Sequence, residues 1–215
     1  MNVKLKSLTP DAEVNIVEIA RVSSSRSDKT EHLENLINYL IKNKHWSPFE
    51  HSYMTVEIET SKAIGIQLLR HRSFTFQEFS QRYSKVEKME PIELRQQAVI
   101  NRQSSTDLID PLIYRDRDLK PATASAEIAD YIKKGRELYN ILLDLGVAKE
   151  CARMILPMCS STTIFMTGSI RSWIHFLDIR LDEHAQKEAR LIAQAIRDIF
   201  TENLPIIAKA RGYGQ

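Results

Sequence analysis

Arg70 to Tyr83 reads Arg-His-Arg-Ser-Phe-Thr-Phe-Gln-Glu-Phe-Ser-Gln-Arg-Tyr, with cations, a carboxylate, hydroxyls and aromatic rings interleaved in fourteen positions. Arg70, His71, Arg72 and Arg82 supply positive charge or potential charge, Glu78 a carboxylate, and Phe74, Phe76 and Phe79 interleave apolar rings. Burying such a crowd of cations is costly unless something anionic answers them. The guanidinium fork matches phosphate, and its plane stacks on rings. A phosphorylated, ring-containing ligand is the chemistry this stretch suits. The competing reading is structural: Lys62 to Arg72 is expected to be a helix, and cations at its C-terminal end would complement its dipole with no ligand at all.

Other stretches carry compatible chemistry. His45-Trp46-Ser47-Pro48-Phe49-Glu50-His51 is expected to form an irregular turn, either a second wall of the site or a corner pinned by Phe49. Arg153 emerges from apolar neighbours (Ala152, Met154, Ile155, Leu156), so it should have a specific anionic partner, from the protein or from a ligand. Arg171, His175 and Asp178 fall on one helical stripe, whereas Arg180 lies about half a turn from Arg171 at roughly 100° per residue. The two arginines cannot serve one small group. Gln67 and Arg70, three apart, would share a flank of the preceding helix.

The elements expected to position these groups follow from periodicity. Helices are expected from Asp11 to Ala20, from an N-cap at Thr30 to about Lys44, and from Lys62 to Arg72, capped by Ser61. Further helices are expected from Ser125 to Leu143, closed by Gly146, over Lys149–Leu156, over Arg171–Arg180, and from Ala185 to about Asn203, ended by Pro205. Tyr53–Thr60 and Ser161–Ser169 read as strands, and Ala98-Val99-Ile100 as part of another. The run from Asp107 to Lys120 reads as a long irregular connection. No repeats or low-complexity segments occur.

Arg70-His71-Arg72, then seven residues, then Ser80 resembles the signature of the flavin-dependent thymidylate synthases. The resemblance extends to Ser47-Pro48-Phe49-Glu50-His51, Arg82-Tyr83-Ser84, Ala152-Arg153-Met154-Ile155-Leu156-Pro157, Arg171-Ser172, His175-Phe176-Leu177-Asp178-Ile179-Arg180 and His184-Ala185-Gln186, all in the family's order. It covers the chain from about Ala20 to Gln186. It implies an α+β fold: one domain over 1–215, with a mixed or antiparallel sheet flanked by long helices, assembled as a homotetramer. The activity implied is conversion of dUMP to dTMP, with methylenetetrahydrofolate as one-carbon donor and NADPH reducing through FAD. By matched position, Ser47, Arg70, His71, Arg72, Glu78, Ser169, Ile170, Arg171 and His175 should line the FAD site. Gln67, Arg70, Ser80, Gln81, Arg82, Arg153 and Arg180 should hold dUMP, with Arg180 the catalytic residue, and His45 should lie near the flavin. Ser169 stands where the family commonly has asparagine, and Gln81 where some members have glycine.

Chemistry read from the residues agrees. An arginine on the N3/O2 edge of a pyrimidine stabilises charge that develops as the ring carbon becomes nucleophilic. Arg180 suits that role, while Ser80, Arg82 and Arg153 suit a phosphate. Neither Cys151 nor Cys159 has a base nearby in sequence, so a thiol nucleophile is not expected, nor is a metal site. Length and composition (43% hydrophobic, 27% charged, net charge +2) indicate a globular protein with no bulk attraction to nucleic acid. No signal peptide, cysteine framework or apolar run of about 18 residues is evident, which points to a cytoplasmic protein. Two alternatives stay open: a nucleic-acid-binding module using the arginine-aromatic run as a stacking platform, and a flavoprotein of this fold with an altered substrate.

Overall fold

The computed structural model describes residues 1–24, 32–114 and 120–213. The expected N-cap at Thr30 and part of the Asp107–Lys120 run lie outside them. In chain order the elements are β1 (Asn2–Leu8), α1 (Ala12–Ala20), α2 (Leu33–Lys42), a 3-10 turn at Ser47–His51, β2 (Tyr53–Ser61), α3 (Lys62–Leu68), β3 (Thr75–Glu78), β4 (Arg95–Gln97) and β5 (Ser105–Leu108). There follow β6 (Leu112–Ile113), β7 (Ala122–Thr123), α4 (Ala124–Asp144), α5 (Lys149–Ala152), a 3-10 turn at Arg153–Ile155, β8 (Ser161–Ser169), α6 (Ile170–Arg180), α7 (Lys187–Asn203) and α8 (Pro205–Arg211). Helix and sheet mix as an α+β protein. The main sheet has strand order β1-β2-β8-β3, with β1 antiparallel to β2.

Two compact units are distinguished: Met1–Glu59, Ile66–Gln77 and Thr163–Gln215 form the first, Thr60–Gly65 and Glu78–Thr162 the second. In the first unit, Trp173, Phe176, Phe49, Phe200, Met54, Ile16 and Ile164 are fully buried. Each such side chain contributes roughly 1.5–3 kcal/mol through removal of apolar surface from water. The buried Trp173 Nε1–H donates to the Met54 carbonyl at 2.9 Å, so its one polar atom is satisfied. Helix α6 packs on α7 and on the Ser47–His51 turn, and α8 packs on α2 and α7. The second unit has a smaller core of Val86, Tyr139 and Ala152, with Phe79, Met89, Leu142 and Leu143 against it.

Several expectations are corrected. The helix expected to reach Arg72 stops at Leu68, because the His71 N–H turns back to the Leu68 carbonyl. That frees the Gln67 carbonyl, which a continuing helix would have bonded to His71, and Arg180 Nη2 takes it instead at 3.3 Å. Ala98-Val99-Ile100 is not strand: Val99 and Ile100 are 94% and 99% exposed, and pairing falls either side, between β4 and β5. The Lys149–Leu156 helix shortens to α5 plus a 3-10 turn. Within the Asp107–Lys120 run, Leu112–Ile113 pairs with Ala122–Thr123. Pro205 does not merely end a helix, since it occupies the first turn of α8.

Candidate active site

The first unit brings together two segments that carry arginines. Arg180 Nε donates to His71 Nε2 at 2.9 Å, and its Nη2 to the Gln67 carbonyl. No carboxylate among the described residues pairs with this guanidinium. His71 must be neutral to accept that bond, which puts its proton on Nδ1. Burial, then the charges of Arg180 and His175, push its pKa down to about 4. The ring is wedged edge-on against Phe176 and Phe74, centroids 4.9 Å and 6.3 Å away. Gln67 is held from the side by Gln186, 2.6 Å between amide nitrogen and oxygen.

A cleft of about 270 Å³ lies along α6, lined by Trp46, Ser73, Arg171, Ser172, Ile174, His175 and Asp178. The expected stripe of Arg171, His175 and Asp178 is therefore one of its walls. Ser169 is the N-cap of α6: its Oγ accepts the Ser172 N–H at 3.2 Å and donates to Glu50 Oε2. Glu50 also receives Arg171 Nη1 at 2.6 Å. Burial alone would raise the Glu50 carboxyl, but the hydrogen bonds from Ser169 and Arg171, with the charges of Arg171 and His51, take it below the usual range. Glu50 thus ties the Ser47–His51 turn to the start of α6.

The remaining site residues divide. Arg70 and Arg72 are exposed and hold no hydrogen bond or ion pair among the described residues, as is Ser47 at the head of its turn. Ile170 is fully buried and donates its N–H to the Ser52 carbonyl. His45 is exposed, its ring edge-on to Tyr39. In the second unit Glu78 is bonded by Lys62 Nζ at 2.7 and 2.8 Å and by Thr162 Oγ1 at 2.9 Å. Ser80 and Arg82 are exposed there, whereas Gln81 is buried. Arg153 keeps a buried Nε with no partner, the mark of a donor waiting for an acceptor. Sequence reasoning did not single out Ser73, Ser172 or Ile174 as lining residues. Nothing in their types marks them, because only the turn after α3 and the phase of α6 bring them to the cleft.

A guanidinium without a carboxylate partner, a cleft walled by Arg171, His175 and Asp178, and a separate arginine with an unpartnered buried Nε are the features the site presents. Residues 4–206 match the family model described as thymidylate synthase complementing protein. The chain is 42% identical to a probable flavin-dependent thymidylate synthase of Paramecium bursaria Chlorella virus 1 over 98% of each chain. It is 45% identical to the flavin-dependent thymidylate synthase of Synechocystis, over 91% of this chain and 87% of that one. Among solved structures it resembles a UMP/dUMP methylase, PolB from Streptomyces cacaoi, bound with 5-Br dUMP, at TM-score 0.78 and 25% identity, covering 97% of this chain and 93% of that one. The chain belongs to the flavin-dependent thymidylate synthase family, and it is an enzyme.

Proposed function

We propose that the chain methylates dUMP reductively to dTMP, taking its one-carbon unit from methylenetetrahydrofolate and its reducing equivalents from NADPH through FAD. The observation that carries this reading is Arg180, whose guanidinium is fixed by a neutral imidazole and a peptide carbonyl rather than neutralised by a carboxylate. Its positive charge is retained for a ligand. Donation from Arg180 to the N3/O2 edge of the pyrimidine stabilises the charge that develops there, and preorganisation by His71 and Gln67 avoids reorientation during the reaction.

Gln67, Arg70, Ser80, Gln81, Arg82 and Arg153 serve dUMP in this reading, and the orphaned Nε of Arg153 supports a phosphate acceptor. Ser47, Arg70, His71, Arg72, Glu78, Ser169, Ile170, Arg171 and His175 serve FAD. Part of that cofactor is suited: within the cleft Trp46 offers a ring for stacking, and Arg70 and Arg72, exposed and not among its lining residues, suit a diphosphate, while Arg171 is held by Glu50. When bound, FAD supplies the redox chemistry that no side chain can. Ser169 and Ile170 contribute by fixing the start of α6 and Glu78 by holding Lys62. A thiol route is disfavoured, since burial raises the Cys159 thiol, opposite to what a nucleophile needs.

About 270 Å³ takes only a portion of a dinucleotide, so the homotetramer that the family resemblance implies would have room to complete the site from a second copy. The family match across 4–206 runs through both compact units, supporting a single functional domain. No helix among the described residues is long and apolar enough to cross a membrane, in keeping with a cytoplasmic enzyme. The deciding experiment measures dTMP with dUMP, methylenetetrahydrofolate, NADPH and FAD each omitted in turn. Product should require all four, and formation without FAD, or none with the full set, would overturn the reading. Because the solved relative acts on UMP as well as dUMP, UMP is the competitor to run alongside.

A further inference from the structure

Arg211 and Tyr213 lie beyond the stretch 4–206 that matches the family model, yet both reach a wall of the cleft. Pro205 opens α8, and Gly212, at φ +71°, closes it in the left-handed conformation that favours glycine. The chain therefore reverses, with the Tyr213 N–H bonded to the Ala208 carbonyl at 3.0 Å. The Tyr213 ring lodges edge-on against Phe200, and the Arg211 guanidinium lies 5.9 Å from that ring's centre. So placed, Arg211 Nη2 donates to Asp178 Oδ1 at 2.5 Å. Tyr213 Oη lies 2.9 Å from the same oxygen and 3.2 Å from the Ile174 carbonyl.

Asp178 is the one carboxylate among the described residues that line the cleft. Arg171, the lining residue of opposite charge, already answers Glu50. The charge that the cleft presents to an anion therefore depends on whether Asp178 is neutralised from behind. A bare carboxylate there repels a diphosphate: at an effective dielectric of about 20, two like charges roughly 8 Å apart cost about thirtyfold in affinity, which the partial exposure of Asp178 screens towards tenfold.

We propose that Arg211 and Tyr213 act as a latch, positioning residues that hold and neutralise Asp178 so that the cleft accepts an anionic dinucleotide. The proposal rests on reading this cleft as part of the FAD site. It is tested by titrating FAD into flavin-stripped protein and following the quenching of flavin fluorescence, with thermal unfolding of each flavin-free variant in parallel. Arg211→Met should weaken FAD about tenfold. Arg211→Lys should bind within about threefold of the wild type, because a cation remains. Adding Asp178→Asn to Arg211→Met should restore affinity, since it removes the exposed charge without restoring any packing. Tyr213→Phe should weaken FAD less than Arg211→Met does. Wild-type affinity in Arg211→Met, or a double variant no tighter than Arg211→Met, overturns the latch while leaving the flavin reading intact. A wild-type protein that binds no FAD overturns the flavin reading itself, and the latch with it.

Discussion

His71 shows how one residue couples chemistry to folding. It and Arg180 stand 109 positions apart, and although each was legible as a site residue, their pairing was not. Local spacing cannot report a contact that only the docking of α6 creates. Replacing His71 by Leu would leave Arg180 Nε without an acceptor, and an orphaned, partly buried donor costs about 1–3 kcal/mol. Catalytic efficiency in dTMP formation should fall on the order of tenfold to a hundredfold in His71→Leu. It should fall far less in His71→Gln, whose amide oxygen can accept the bond. The same group makes stability depend on pH. Unfolded, the imidazole takes its proton near the ordinary value of 6.5, whereas folded it resists down to about 4. As pH falls through that window the unfolded chain binds the extra proton, so stability declines. Urea midpoints should drop from pH 6.5 towards 4, and the decline should be shallower in His71→Gln. Arg153 makes a second case at this scale: its apolar neighbours led to the expectation of an anionic partner, and its buried Nε has no partner among the described residues. Arg153→Ala should weaken dUMP roughly tenfold or more, the worth of a charge-assisted bond, yet leave deoxyuridine unchanged by calorimetry. Equal losses for both would remove the phosphate role.

At the scale of elements, β8 and α6 were the most legible. The β-branched run from Ser161 gave a strand with the observed ends, and the helix after Ser169 differs by one residue. Ser169 was expected only as a flavin contact, and the structure adds its part as an N-cap. Ser169→Ala should cost about 1 kcal/mol in chemical denaturation, whereas Ser169→Asn, an equally good cap, should be nearly neutral. The end of α3 was not legible, since Lys62 to Arg72 is helical by local preference. Tertiary demands prevail there: Phe74 must reach Trp173 and Phe176, at 4.7 and 6.1 Å, and Arg180 claims the Gln67 carbonyl. Strand β8 makes room for that ring at Gly168, where an added Cβ would lie 2.5 and 2.6 Å from Phe74 ring carbons. Gly168→Ala should destabilise by about 1–3 kcal/mol, the cost of overpacking. Adding Phe74→Leu should recover part of that loss in a double-mutant cycle, while strict additivity would show that the two positions do not share the strain.

At the scale of the molecule, α4 has an apolar face that its own unit does not cover. Tyr139, Leu142 and Leu143 face the small core, but Tyr131, Leu138, Ile141 and Leu145 form a second apolar stripe, 49–75% exposed. Residue spacing could not tell the two stripes apart, because both follow helical periodicity and only packing assigns one inward. An outward stripe of this kind fits another helix better than water. In the homotetramer proposed above, a second copy of the chain would cover it. Sedimentation of the wild type should yield a species about four times 24.8 kDa. Leu138→Glu with Ile141→Glu should shift it to smaller species, since two charges cannot be buried at an apolar contact without partners. If a neighbouring copy completes the flavin site, FAD affinity should fall together with the mass, although neither substitution lies in the first unit, which carries the cleft. A double variant that dissociates yet binds FAD as tightly as the wild type would show that one chain holds the cofactor unaided, and that the stripe serves assembly alone.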